Sequence, residues 1–176
     1  MLTVVKRKVE IKDYDPQWKK EFEKEKEKLT EIFSDILIDI HHIGSTAIPE
    51  IKAKPIIDIM IVVEDINKVD EYNEEMIELG YTPKGEFGIK NRRFFPKGGN
   101  ERSHHVHVFP KGDPEVKKHL NFRDYLRAHP TEARRYSQLK EVLAAKYYYN
   151  IDKYIEGKND FIQEIDRKAA KWAAQQ

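Results

Sequence analysis

The sequence predicts an α+β protein in which a short mixed sheet is flanked by helices. Two runs rich in β-branched residues, 36–43 and 56–63, are separated by a small-residue turn. Two later strand-like segments enclose the Gly-Gly pair at 98–99, and helical periodicity takes over after residue 110. The order of helix, two strands, helix, two strands and then helices is typical of a layered fold with one sheet.

Composition limits the classes of protein to which the chain can belong. Its 176 residues suit a single domain, and we expect an α/β core at 1–110 with a helical part at 111–176 packed on it. There is no cysteine, which excludes disulfides and thiolate chemistry. Long apolar runs and signal-like segments are absent, so we expect a cytoplasmic protein without a membrane partner. A net charge of +1 gives no reason to expect a nucleic acid partner.

The first elements follow from capping and periodicity. Residues 4–11 alternate loosely and predict a short strand or arm. Asp15 and Pro16 are typical of an N-cap and a first helical residue. The Glu/Lys-rich middle of the helix that they begin is expected to face solvent. Its apolar stripe consists of Trp18, Phe22, Leu29 and Phe33.

The centre of the chain contains the strands expected to form the sheet. The nearly continuous β-branched run at 56–63 predicts a central strand that is covered on both faces. Residues 66–79 then have helical spacing. Further strands are expected at 91–95 and 103–109, joined by a hairpin loop at 96–100.

Three helices are expected in the C-terminal part. The first begins at Asp113-Pro114, an N-cap followed by a proline in the first helical position. Thr131 is expected to cap the second helix after a His-Pro break. The third is expected to open at Asn159 or Asp160.

The turn between the first two core strands is a candidate anion site. Gly44 lets backbone N–H groups approach an anion closely, and the hydroxyls of Ser45 and Thr46 add donors. Asp58, inside the next strand, must be paired, protonated or bound to a cation such as Mg²⁺, because an unpaired buried carboxylate is costly. The alternative is an ordinary turn beside an Asp that a structural partner satisfies.

Two histidines form a second candidate group. His105 and His107 are two residues apart in one predicted strand, so their side chains point the same way. Imidazoles at that spacing could chelate a metal such as Zn²⁺ or hydrogen-bond a phosphate. If this strand lies beside that of Asp58, the three side chains would meet; the alternative is a polar outer strand face. One of His41 and His42 is expected to face the same cleft.

Several basic residues could serve a phosphorylated ligand. Arg92 and Arg93 are adjacent in a predicted strand, so only one of them can enter a site; the planar guanidinium suits phosphate. Arg123 and Arg127 share a helix face and could reach a triphosphate or form ion pairs. Residues 117–146 carry eight Lys or Arg against three Asp or Glu, which could face a polyphosphate or be a solvated helix face.

Separated motifs in the same order are similar to those of the GrpB family. They are His-Ile-Gly-Ser-Thr-Ala-Ile-Pro at 42–49, Lys-Pro-Ile-Ile-Asp-Ile at 54–59, Arg-Arg-Phe-Phe at 92–95, His-Val-His-Val at 105–108 and Phe-Arg-Asp-Tyr-Leu-Arg-Ala-His-Pro at 122–130. The resemblance covers nearly the whole chain and implies a nucleotidyltransferase-like fold. Members of the family are functionally uncharacterised. Some are fused to a dephospho-CoA kinase domain, so a link to the CoA pathway is implied by resemblance only.

The chain departs from the superfamily pattern that this resemblance implies. The pattern is Gly-Ser followed by two carboxylates one residue apart on a strand. Gly44 and Ser45 match, but Met60 or Ile56 stands where the second acid is expected beside Asp58. Two-metal catalysis needs groups that bridge ions about 3.5–4 Å apart, which one Asp cannot do unaided. A histidine nearby favours one softer ion or none.

We therefore expect a nucleotidyltransferase-fold protein that binds a nucleotide or another phosphorylated small molecule with a divalent cation, Mg²⁺, Mn²⁺ or Zn²⁺. If it is an enzyme, it transfers a nucleotidyl group, with Asp58 and His107 as candidate catalytic groups. The alternatives are a catalytically degenerate nucleotide- or partner-binding module and a metal-dependent phosphate-ester hydrolase. The expected metal ligands are Asp58, His105 and His107, and the expected phosphate-binding residues are Gly44, Ser45, Thr46, Lys54, Arg92, Arg93 and Arg123.

Overall fold

The computed structural model describes residues 7–176. Its sheet has four strands: β1 (Leu37–Ile43), β2 (Ile57–Val63), β3 (Arg93–Lys97) and β4 (His104–Pro110). They lie in the order β1-β2-β4-β3. β2 is antiparallel to β1 and parallel to β4, while β3 and β4 are antiparallel. The predicted α+β class with a short mixed sheet is therefore confirmed.

Helices lie on both sides of this sheet. They are α1 (Gln17–Phe33), α2 (Asn73–Glu78), α3 (Pro114–Ala128), α4 (Pro130–Lys146) and α5 (Ile151–Ala174). Oδ1 of Asp15 accepts a hydrogen bond from the backbone N–H of Gln17 at 2.9 Å, but α1 begins at Gln17, one residue after the predicted Pro16. No helix among residues 7–176 is long and apolar enough to cross a membrane.

Two predictions about the C-terminal helices were wrong. α5 begins at Ile151, well before Asn159 or Asp160. The side chain of Asn150 accepts a hydrogen bond from the N–H of Lys153 and so caps this helix. Thr131 does not cap α4, because the helix already begins at Pro130. The cap position is His129, whose side chain makes no capping hydrogen bond.

Other boundaries also differ from those predicted. The expected helix at 66–79 is a 3₁₀ segment, Ile66–Tyr72, followed by the short α2, which begins at Asn73. Asp70 and Asn73 have low helix propensity, which is consistent with this break. The hairpin loop begins at Gly98, because Pro96 and Lys97 belong to β3.

Two further expectations concern the N-terminal part. The strand or arm expected at 4–11 lies partly outside the described residues, and 7–11 are not in a strand. The middle of α1 does not face solvent throughout, since Glu25 is only 4% exposed. Its carboxylate accepts a hydrogen bond from the Tyr81 hydroxyl at 2.8 Å and from the Lys97 amine at 3.0 Å.

The two faces of the sheet are covered by different helices. Apolar side chains of α1 pack on the face formed by Ile59, Ile61 and their neighbours. The opposite face carries Met60 and Phe109, which contact Val116 and Leu120 of α3. Since side chains alternate along a strand, Asp58 points to the same face as Met60. The candidate site therefore lies on the side of the sheet where the C-terminal helices pack.

Candidate functional site

Asp58, His105 and His107 meet on this second face. The parallel pairing of β2 with β4 sets Asp58 directly opposite His105. Nε2 of His107 lies 3.2 Å from Oδ1 of Asp58, and Nδ1 of His105 lies 3.6 Å from the same oxygen. The sequence predicts that these three side chains meet if the two strands are neighbours. In the structure β2 and β4 are neighbours, and the side chains meet.

Gly44 brings the turn close to this cluster. Its φ is +74°, and a Cβ added to it would lie 2.8 Å from Oδ2 of Asp58. Any other L residue would be strained there and would also collide with the carboxylate. The glycine therefore permits the contact between the turn and Asp58.

Met60 explains why one carboxylate stands alone. It is fully buried and packs against Ile43 and Phe109 in the core beneath α3. It follows Asp58 by two residues and so shares its face. The position of the expected second acid is thus a packing position, and a carboxylate there would be buried among apolar side chains.

A cavity of about 110 Å³ lies beside Asp58. Three lysines from separate parts of the chain line it: Lys54 before β2, Lys140 in α4 and Lys158 in α5. We call this space the lysine cavity; its other polar lining residues are Ser45, Thr46, Asp58, His105 and Tyr154. Among residues 7–176, Asp58 is the only carboxylate in the lining, so lysines outnumber acids there.

Lys140 is the most buried of these lysines, at 2% exposure. Its amine donates hydrogen bonds to the hydroxyl of Ser45 at 2.5 Å and to the backbone carbonyl of Lys52 at 2.8 Å. Burial holds the pKa of Lys140 well below its usual range, and the positive charges of Lys158 and Lys54 lower it further. A bound anion would stabilise the charged form of this amine and so raise its pKa.

Lys54 and Lys158 both lie close to a tyrosine ring. Their amines are 5.4 Å and 4.6 Å from the ring centre of Tyr154. Burial, followed by the charges of Lys158 and Arg7, lowers the pKa of Lys54 to about 8. The hydroxyl of Tyr154 is buried and has no hydrogen-bond partner among residues 7–176. A buried donor without a partner is costly unless a ligand or water satisfies it.

Asp58 is held in its ionised form. Burial by itself would raise the pKa of this carboxyl, but the adjacent imidazoles of His105 and His107 outweigh it and hold the pKa well below the usual range. For His107, burial is the stronger effect: it lowers the pKa of the imidazole although the nearby carboxylate would raise it. The pair is therefore a neutral imidazole beside a carboxylate.

The two adjacent arginines separate as expected. Arg92 is 8% exposed, and its Nη1 lies 3.3 Å from Nδ1 of His107. Its other donors bind the backbone carbonyls of Glu86 and Phe87. Arg93 points away and pairs with Asp70 at 2.8 Å. Of the two, only Arg92 reaches the cluster.

Arg123 belongs to a different cavity. It donates to the carbonyl of His42 and pairs with Asp124. Together with Arg127 it lines a space of about 470 Å³ between α1, β1 and α3. Thr46 lines both cavities, but its hydroxyl is engaged by Nε2 of His42 at 2.9 Å.

Sequence reasoning missed Tyr154 and Lys158 and gave Lys140 no role in the site. Lys140 follows Tyr136 by four residues and so interrupts the buried stripe of α4. A lysine in an apolar stripe was a usable signal. Tyr154 and Lys158 are also four apart, but they lie in the turns of α5 that the sequence did not assign to a helix.

Asp58, His105 and His107 lie close enough together to bind one metal ion, but the hydrogen bonds of the two histidines do not suit metal ligation. Asp58, His105 and His107 each offer a ligand atom, and these atoms lie within 4.8 Å of one another. The second nitrogens of the histidines, however, face guanidinium groups: Nη1 of Arg92 and Nη1 of Arg102, each at 3.3 Å. A metal-ligating histidine normally donates its other N–H to an acceptor, and a guanidinium cannot accept.

Comparison with known structures first defines the fold class. The solved structure of Cid1 in complex with its short product ApU aligns with a TM-score of 0.51 over 74% of this chain and 42% of that one, at 14% identity. This likeness shows a nucleotidyltransferase-like fold. A much closer solved structure is the conserved protein GrpB from Enterococcus faecalis. It has a TM-score of 0.90 and 41% identity, and the alignment covers 93% of this chain and 99% of that one.

The family follows from the sequence comparisons. The model of the GrpB protein family matches residues 8–168, so the chain belongs to the GrpB family. The UPF0157 protein YqkA of Bacillus subtilis is 51% identical over 167 residues, 95% of this chain but 49% of YqkA. The glutamate-rich protein GrpB of Alkalihalophilus pseudofirmus is 36% identical over 94% of this chain and 98% of its own length. The chain thus spans about half of one relative and nearly all of another.

Proposed function

We propose that this chain binds a nucleotide or another phosphorylated small molecule through its phosphate groups in the lysine cavity. One observation carries the proposal: in the part of the chain that the structure describes, Lys54, Lys140 and Lys158 line a space with a single carboxylate and a tyrosine hydroxyl without a partner. Phosphate oxygens would neutralise the lysines and accept from the hydroxyl. Because the fold is nucleotidyltransferase-like, a nucleotide is the phosphorylated ligand that we favour.

The remaining polar groups have roles that follow from their positions. The turn at Gly44 and Ser45 would contribute donors to the phosphate, as the sequence predicted. Asp58 lines the cavity and could take a proton from an acceptor hydroxyl if the bound nucleotide reacts, with His107 orienting it. Positioning and charge neutralisation by the lysines would then supply most of the acceleration.

A binding module without catalytic activity is the second candidate. Met60 favours it, because a fully buried methionine occupies one of the two positions where the second carboxylate is expected, and Ile56 occupies the other. If a divalent cation, Mg²⁺, Mn²⁺ or Zn²⁺, accompanies the phosphates, Asp58 is its expected protein ligand. Cytoplasmic location, the absence of a nucleic acid partner and the CoA-pathway link remain predictions.

Calorimetric titration with ATP, GTP, CTP and UTP tests the binding proposal. We expect at least one of them to bind, and Lys140→Met to weaken binding more than tenfold. Lys146→Met is the matched control, because this lysine is exposed at the end of the same helix. If no nucleotide binds, a nucleotide is excluded as the ligand; if both variants bind like the unaltered chain, the lysine cavity is not the binding site.

A turnover assay then distinguishes the candidates. Nucleotides labelled in the phosphate chain are incubated with the protein and Mg²⁺, Mn²⁺ or Zn²⁺. Release of pyrophosphate indicates nucleotidyl transfer, release of inorganic phosphate indicates hydrolysis, and binding without release indicates a module. Asp58→Asn should abolish either release, because it removes the charge of the candidate base with little change in shape.

A further inference from the structure

Arginine determines the proton positions on both histidines of the cluster. A guanidinium carries only donors, so Nδ1 of His107 must accept the hydrogen bond from Arg92. A neutral imidazole that accepts at Nδ1 carries its proton on Nε2. That nitrogen lies 3.2 Å from Oδ1 of Asp58, and it therefore donates to the carboxylate.

His105 has the mirror arrangement. Nη1 of Arg102 lies 3.3 Å from Nε2 of His105, which must accept. The proton is then on Nδ1, the nitrogen that faces Oδ1 of Asp58 at 3.6 Å. Both imidazoles thus present an N–H to Asp58, and both lone pairs are engaged by guanidinium groups. Neither histidine has a lone pair free for a metal ion in this arrangement.

The charges around the cluster also argue against a bound metal ion. Lys54, Lys140 and Lys158 line the adjoining cavity, and Arg92 and Arg102 stand behind the histidines. Asp58 is the only carboxylate that the described residues place in the cavity lining. An excess of positive charge disfavours a free cation and attracts an anion.

We propose that the lysine cavity binds a linear polyphosphate, the di- or triphosphate part of a nucleotide, without a histidine-bound metal ion. Lys54, Lys140 and Lys158 supply the positive charge that a metal ion would otherwise bring, and the hydroxyl of Tyr154 donates to a phosphate oxygen. His105 and His107 act as positioning residues that orient Asp58. This inference rests on the proposed function and replaces the sequence hypothesis that the two histidines are metal ligands.

Titration calorimetry of the full chain with inorganic tripolyphosphate and with ATP tests this proposal. The titrations are run in EDTA and then in Mg²⁺. We expect affinity in EDTA to equal or exceed affinity in Mg²⁺. Lys158→Met and Tyr154→Phe should weaken tripolyphosphate binding, by more than tenfold and by several-fold. Binding that requires Mg²⁺ would overturn the inference and leave the proposed function standing, whereas no binding under any condition would overturn both.

The histidine tautomers give an independent readout on the unaltered protein. Long-range ¹H–¹⁵N spectra distinguish a protonated from an unprotonated ring nitrogen, and we expect the proton on Nε2 of His107 and on Nδ1 of His105. One equivalent of Zn²⁺ should leave these signals unshifted. The double variant Arg92→Met and Arg102→Met should gain Zn²⁺ binding, because without the guanidinium donors both rings can change tautomer and turn a lone pair toward Asp58. The reversed tautomers, or a shift of both rings by Zn²⁺ in the unaltered chain, would overturn the inference.

Discussion

The amine of Lys140 and the hydroxyl of Ser45 are 2.5 Å apart, although the two residues are separated by 95 positions in the chain. Ser45 lies in the turn after β1, whereas Lys140 is in the middle of α4. The candidate phosphate site is therefore built jointly by the sheet and by the C-terminal helices. The helical part is a component of the site as well as a cover for the sheet.

Gly44→Ala should destabilise the protein through two effects. A φ of +74° strains any residue with a Cβ, which costs about 1–3 kcal/mol, and the new methyl would lie 2.8 Å from Oδ2 of Asp58. Urea unfolding measures the change in the free energy of unfolding. Gly112→Ala is the matched control, since its φ is +84° but nothing lies within 4 Å of the added Cβ. Equal destabilisation of both variants would contradict the contact with Asp58.

Phosphate binding should be accompanied by proton uptake. The pKa of Lys54 is lowered to about 8, and those of Lys140 and Lys158 are also lowered. A bound polyphosphate raises these values, so Lys54 alone should make the affinity fall as the pH rises from about 8 toward the ordinary lysine pKa of about 10.4. Calorimetry at pH 8 in buffers of different ionisation enthalpy measures the uptake.

The control for this prediction is a variant that removes one titrating amine. Lys54→Met should reduce the number of protons taken up at pH 8, while Lys146→Met should not change it. Binding heats that are independent of the buffer in the unaltered chain would show that the lysines are already fully charged.

His42 should contribute to stability in a defined pH range. Burial lowers its pKa from 6.5 to about 4. The unfolded chain therefore binds the proton more readily between these values, so stability should rise as the pH increases from 4 to 6.5. His42→Gln should reduce the slope of the unfolding free energy in this range by up to about 1.4 kcal/mol per pH unit.

Thr46→Val is the comparison for that experiment. It removes the hydrogen-bond partner of His42 but leaves the imidazole stacked on Phe22 at 4.8 Å. The variant should lose stability at every pH without losing the slope. A slope that is the same in His42→Gln and in the unaltered chain would contradict the assignment.

Tyr81→Phe should reveal the buried carboxylate of α1. The hydroxyl of Tyr81 donates to Oε1 of Glu25, which is 4% exposed. Loss of a hydrogen bond to a charged, buried group costs about 1.5–3 kcal/mol, measurable by thermal unfolding. Tyr149→Phe should have almost no effect, because that side chain is 61% exposed. A loss below about 0.5 kcal/mol in Tyr81→Phe would mean that Lys97 alone satisfies Glu25.

Much of the local structure was predictable because it depends on neighbours in sequence. Period-2 alternation placed His105 and His107 on one face, and the Asp-Pro pairs located the first turns of α1 and α3. The break near Asn73 and the cap at Asn150 were missed, since weak propensities and single polar caps compete with long-range packing in setting helix ends.

The sequence by itself determined the candidate acid, the turn that approaches it, the paired histidines and the likeness to GrpB proteins. Only the tertiary structure decided that β2 lies beside β4, that Arg92 rather than Arg93 reaches His107, and that Lys140, Tyr154 and Lys158 complete the cavity. The physical reason is distance along the chain. Backbone geometry sets which side chains share a face within one element, whereas burial and hydrogen bonding over the whole molecule decide which elements meet.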